Sequence, residues 1–139
     1  MKGESSMGIH ALVLDTSAAM ALFLQEETGE QIEKILAELI AGNGQIFVPS
    51  LFWYEVGNTL VTALNRKRIS IDELQGIETD IAELPIATDP IPDSAARIRI
   101  REIAAINKLS YYDAAYVELS KRLQLPLQSF DKKVLAAII

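Results

Sequence analysis

The stretch Ile9-His10-Ala11-Leu12-Val13-Leu14, closed abruptly by Asp15-Thr16-Ser17, constrains the fold more than any other part of the chain. An apolar run of this length, rich in branched residues and ended by a polar turn, reads as a strand buried on both faces. Helical patterns follow it, which places the strand in a parallel sheet between layers of helices. In open sheets of that kind ligands bind beyond the carboxyl ends of the strands. Asp15 stands at one of those ends.

The remaining pattern builds such a sheet. A short helix over Ala18–Leu24 follows the strand, and Thr16 or Ser17 can serve as its N-cap. From Thr28 to Ala41, the residues Ile32, Ile35, Leu36, Leu39 and Ile40 recur at helical spacing and make one buried stripe, which Gly42-Asn43-Gly44 stops. A brief strand over Gln45–Val48 leads through Pro49-Ser50 into a helix that runs to about Arg66. That helix is apolar around most of its circumference. Its polar stripe is Glu55, Asn58, Thr59 and Thr62, and Arg66-Lys67-Arg68 closes it with charge favourable to the helix dipole. Ser70–Glu83 is a weaker helix containing Gly76, and Ile86–Thr88 is a third strand. Helices over Pro92–Asn107 and Ser110–Leu123, a strand over Pro126–Ser129 and a closing helix complete the order β-α-α-β-α-α-β-α-α-β-α. This order predicts a three-layer α/β/α sandwich around a mainly parallel sheet of four or five strands.

At 139 residues, half of them hydrophobic and only five of them proline, the chain suits a single domain over 9–139 behind a flexible lead-in at 1–8. Met7 is an alternative start. No apolar run approaches the roughly 20 residues of a membrane span, and Met1–Gly8 lacks the apolar core of a secretory signal, so a cytoplasmic protein is expected. The absence of cysteine rules out disulfides and thiolate sites. A net charge of −6 argues against phosphate binding by bulk positive charge. Contact with nucleic acid must then be local or carried by metal, and a basic partner fits the balance directly. The lone histidine, His10, falls within the first strand pattern and reads as structural.

Four acids stand apart from ordinary solvated faces. Asp15 ends the first strand, Glu55 lies on the narrow polar stripe, Asp113 is in the first turn of a helix, and Asp131 follows the last strand. In a parallel sheet both strand ends and the helix starts share one edge. Carboxylates gathered there repel one another unless cations neutralise them or some are protonated. Oxygen ligands without histidine or cysteine favour Mg²⁺ or Mn²⁺ over zinc, and such ions support in-line displacement at phosphorus. Each acid also has a purely structural use. Ser110 with Asp113 forms a capping-box-like start, Asp131 can stabilise the last helix, Asp15 can cap the first, and Glu55 can face solvent.

The spacing of these pieces resembles the PIN-domain family, and within it the VapC-type toxins of toxin–antitoxin pairs. The matching segments are Leu14-Asp15-Thr16-Ser17-Ala18, then Pro49-Ser50-Leu51 leading into Glu55-Val56-Gly57-Asn58-Thr59-Leu60. Tyr112-Asp113-Ala114-Ala115-Tyr116-Val117-Glu118-Leu119 and Leu125-Pro126-Leu127-Gln128-Ser129-Phe130-Asp131 follow in the family's order, from Ile9 to near the end. The resemblance implies an endoribonuclease that uses Mg²⁺ or Mn²⁺, usually as a homodimer. It implies Asp15, Glu55, Asp113 and Asp131 as catalytic metal-binding acids, with Asp15 and Asp113 the firmest ligands. Thr16, Asn58 and Ser129 would orient carboxylates or water; Ser129 stands where threonine is common. An antitoxin with a basic segment is the implied partner. The same fold could instead serve as a non-catalytic acidic groove that binds such a partner.

Other features carry less. Arg97, Arg99 and Arg101 alternate, so they do not share one helix face and read as surface charges, one or two of them in salt bridges. Phe52, Trp53 and Tyr54 read as core or an apolar interface, and Tyr111 and Tyr112 could line the site through their proximity to Asp113. A haloacid-dehalogenase-like phosphatase would need an aspartate where Ser17 stands. A receiver domain would need an acidic pair near the first strand, and no phosphate-binding glycine loop precedes a helix.

Overall fold

Leu12, Val13 and Leu14 have no exposed surface, and the rest of the molecule is layered around them. The structure, a computed structural model, describes residues 9–138; the expected lead-in and the alternative start at Met7 lie outside the described residues. Its elements are β1 (Ala11–Leu14), α1 (Thr16–Phe23), α2 (Gly29–Ala41), β2 (Gln45–Pro49), α3 (Leu51–Asn65) and α4 (Ile71–Ala82). Then come β3 (Ile86–Asp89), α5 (Ser94–Asn107), α6 (Tyr111–Leu123), β4 (Leu127–Gln128) and α7 (Lys132–Ala136). The four strands form one parallel sheet in the order β3-β2-β1-β4. It is the α/β/α sandwich expected, with the smaller of the two strand numbers.

The strand order matters for function. From β1 the chain steps outward to β2 and β3, and β4 then adds on the other side of β1, pairing Val13 with Leu127 and Leu14 with Gln128. Connections therefore diverge at the carboxyl ends of β1 and β4, the switch point where open sheets leave a crevice. Asp15 and Asp131 flank that point. Helix α6 lies across β1, β2 and β4 and is backed by α5. Coverage on both sides explains why every residue from Ala114 to Ser120 is buried.

One local reading is settled and two change. Of the three caps the sequence offers for α1, the structure uses Asp15 and not Thr16 or Ser17: the helix begins at Thr16, and the extended Asp15 accepts from the Ala18 N–H at 3.0 Å. After α2 the left-handed residue is Asn43 rather than a glycine. Gly44 is needed for closeness instead, since a Cβ there would sit 2.7 Å from the His10 carbonyl oxygen. Finally, α3 buries only Phe52, Val56, Leu60 and Ala63. Trp53 is partly exposed, with its indole donating to Thr88 at 2.8 Å, and Tyr54 is 82% exposed, so neither belongs to the core. His10 lies just before β1, exposed, its carbonyl accepting from the Gln45 N–H. Helix α4 runs through Gly76 without a break, started by a capping box between Ser70 and Glu73.

Two arginines of α5, Arg97 and Arg99, and Arg122 of α6 are used in structure. Arg99 and Arg122 both bind the buried Glu118, at 3.1 and 2.9 Å, and Arg122 reaches Asp89 at the end of β3 at 2.7 Å. Arg97 donates to the Pro92 carbonyl.

The α1–α2 contact gives a clean stability test. A Cβ at Gly29 would run into the Ala21 carbonyl oxygen and lie 3.1 Å from the Leu22 Cα, all backbone that cannot yield cheaply. Gly29→Ala is expected to destabilise by about 1–3 kcal/mol, the usual cost of overpacking. Gly76→Ala, with nothing within 4 Å, should stabilise by about 0.5–1 kcal/mol through helix propensity. Urea unfolding of both variants checks the opposite signs.

Candidate functional site

The site is assembled at the switch point by hydroxyls that stitch acids from distant segments together. Asp15 is 6% exposed and accepts from the Ser17 hydroxyl at 2.7 Å as well as from the Ala18 amide. Burial pushes its carboxyl above the usual range. The hydroxyls of Ser129 and Ser17 and the Ala18 amide pull it back, and the charge of Asp113 adds a further upward push. The same serines hold the chain beyond β4. Ser17 accepts from the Phe130 N–H at 3.1 Å, and Ser129 accepts from the Asp131 N–H at 3.0 Å. Asp131 in turn caps α7, accepting from the Lys133 N–H at 2.9 Å.

Asp113 enters from the first turn of α6, where the Ser110 hydroxyl accepts its N–H at 3.0 Å. Only this half of the capping-box-like motif forms, which leaves the carboxylate to the site. Partial burial raises its carboxyl, the charge of Asp131 raises it further, and Ser110 opposes both. Asp113 thus lies between the other two, its charge acting on Asp15 and that of Asp131 acting on it.

Glu55 joins from α3. Its Oε1 accepts from the Thr16 hydroxyl at 2.9 Å and from the Tyr116 hydroxyl at 2.7 Å. Tyr116 is 2% exposed, and burial holds its phenol protonated, well above its ordinary value. The sequence reading missed this residue: one turn beyond Asp113 on a buried helix, a tyrosine reads as core. Asn58 behaves differently, being exposed and making no side-chain hydrogen bond among the described residues. Tyr111 and Tyr112 line a separate apolar pocket with Pro49, Pro90, Pro92 and Leu119.

The donor set is oxygen only, and among the described residues no lysine or arginine forms an ion pair with these four acids. No three of them close into a ready-made cation cage among the described residues. An oxygen-only donor set is the chemistry that suits a hard divalent ion, and Mg²⁺ needs only one or two carboxylates because it keeps several waters. Asp15 and Asp113, crowded and lacking a positive neighbour, are the residues such an ion would relieve.

The fold has counterparts among known proteins. The chain matches the PIN domain model over residues 12–138, and it belongs to that family. It is similar to Ribonuclease VapC3 of Pyrobaculum aerophilum, with 27% identity over 123 residues, 88% of this chain and 91% of that protein. The crystal structure of PAE2754 from Pyrobaculum aerophilum shares the fold at a TM-score of 0.61 and 20% identity, covering 96% of this chain and 87% of that one. Among the described residues, no helix is long and apolar enough to cross a membrane.

Proposed function

We propose that this chain is a metal-dependent endoribonuclease, the toxin of a toxin–antitoxin pair, with its nuclease domain spanning residues 9–139. The observation that supports the reading is the set of hydroxyl contacts at the carboxyl ends of β1 and β4, where Thr16 holds Glu55 and Ser17 holds the segment leading to Asp131, with Asp113 acting on the buried Asp15. Family membership and the similarity to a VapC ribonuclease support it.

Asp15 and Asp113 hold Mg²⁺ or Mn²⁺, with Asp131 and Glu55 completing the acidic site. When bound, the cation supplies Lewis acidity toward the scissile phosphodiester and neutralises its charge. Thr16 fixes the Glu55 carboxylate, and Ser129, shared between Asp15 and the Asp131 backbone, keeps those two segments in register. Orienting contacts of this sort support metal sites generally. The net charge of −6 suits an antitoxin whose basic segment meets the acidic groove. A cytoplasmic homodimer completes the proposal, and the uncovered Trp53, Tyr54 and Val61 on α3 provide apolar surface for pairing.

The test is incubation of a mixed RNA pool with the protein and Mn²⁺ or Mg²⁺, alongside EDTA and Asp113→Asn controls. Cleavage by the wild type that disappears in both controls is the expected result. A wild type that neither cuts RNA nor binds a divalent cation would overturn the reading.

A further inference from the structure

Glu55 is the acid that the fold has most trouble placing. The other three stand at a strand end, in a helix's first turn or at a helix cap, where backbone geometry fixes them. Glu55 projects from the second turn of α3 on a longer, more freely rotating side chain. Two hydroxyls restrain it at a single oxygen. The Tyr116 hydroxyl donates to Oε1 at 2.7 Å, the Thr16 hydroxyl donates to the same atom at 2.9 Å, and the two hydroxyl oxygens lie 3.0 Å apart. Among the described residues no donor reaches Oε2.

The origins of the two hydroxyls are informative. Thr16 directly follows Asp15, and Tyr116 lies one turn after Asp113 on the same face of α6. Each segment that presents a firm metal ligand therefore also holds Glu55. A tyrosine kept only for packing needs just some acceptor for its hydroxyl. Here the acceptor is a carboxylate of the site.

We infer that Tyr116 is a positioning residue that clamps Glu55 Oε1 and so reserves Oε2 for the divalent cation, an inference that rests on the nuclease reading above. Removal of the hydroxyl in Tyr116→Phe keeps the ring and its packing. The expected result is Mn²⁺ binding weakened about 10-fold or more by titration calorimetry, the usual consequence of losing an outer partner of a metal ligand. Cleavage should fall in parallel at limiting Mn²⁺ and recover at saturating Mn²⁺, which a loss of packing would not produce. In a Glu55→Gln background the same substitution should change Mn²⁺ affinity by less than about twofold, since coupled residues do not act additively.

Wild-type Mn²⁺ affinity and cleavage in Tyr116→Phe would overturn the inference while leaving the nuclease intact. An equal loss in the Glu55→Gln background would show that Tyr116 does not act through Glu55, and would overturn it too. A wild type that binds no Mn²⁺ overturns the nuclease reading, and this inference with it. Should Tyr116→Phe fail to fold, Thr16→Val removes the other donor to the same oxygen and must weaken Mn²⁺ binding as well.

Discussion

Asp113→Asn is expected to lower RNA cleavage by at least about a hundredfold, the scale of losing one preorganised electrostatic contributor, without lowering thermal stability. The two effects separate because the residue has two connections. Its backbone N–H completes the α6 cap at Ser110, and asparagine retains that N–H. Its carboxylate is pushed up by partial burial and by the charge of Asp131, so its negative charge is a cost in the metal-free protein. Neutralising it removes that repulsion. The loss of a favourable charge at a helix N-terminus offsets the gain by only about 0.3–1 kcal/mol. Cleavage assays with melting curves on the same preparation read both sides. Asp113→Asn that cuts like the wild type would remove Asp113 from the site. A large drop in melting temperature would show its charge to be structural instead.

How much of this could be read from the chain follows from what each residue's surroundings contribute. Leu12, Val13 and Leu14 are buried on both faces, so their apolar run states its environment directly and points to Asp15 at its end. The cap of α1 was harder. Asp15, Thr16 and Ser17 are all competent caps, and only the backbone turn decides that the helix starts at Thr16. Helix α3 shows a second limit. Apolar residues line most of its circumference, but neighbouring elements cover only the Phe52, Val56, Leu60 and Ala63 stripe. Periodicity cannot separate a face buried in the core from one left for a partner. Tyr116 shows a third: its meaning lies in a contact with Glu55 made 61 residues away. Nothing local marks such a residue. Asn58 is the converse case, a polar residue at helical spacing from Glu55 that ends up exposed, outside the hydrogen-bond network of the acids.

Asp15 is both the cap of α1 and an acid of the proposed site, and substitutions there should split the two roles. Asp15→Ala deletes the acceptor of the Ala18 N–H, a cap worth about 1 kcal/mol. It also strands the Ser129 hydroxyl, which is buried beside it, at about 1–3 kcal/mol. The sum is roughly 2–4 kcal/mol, a fall in melting temperature of roughly 5–15 °C for a chain of this size. Asp15→Asn keeps a capping oxygen and should melt near the wild type, yet lose cleavage as completely as Asp113→Asn. The pH dependence then identifies the charge. Burial raises the folded-state pKa of Asp15 above its ordinary value of 3.8, so between the two the folded protein binds more protons than the unfolded chain. Stability contributed by this group therefore falls as pH rises through that window and returns on acidification toward about pH 4. Asp113, shifted the same way, adds a slope of the same sign. Melting curves of the metal-free wild type should accordingly rise on mild acidification, and those of Asp15→Asn should rise less. Saturating Mn²⁺ near neutral pH should raise the melting temperature of the wild type and leave Asp15→Asn largely unmoved, because only the wild type offers the full pair of carboxylates to bind it. An identical Mn²⁺ response in the two proteins would place the cation elsewhere.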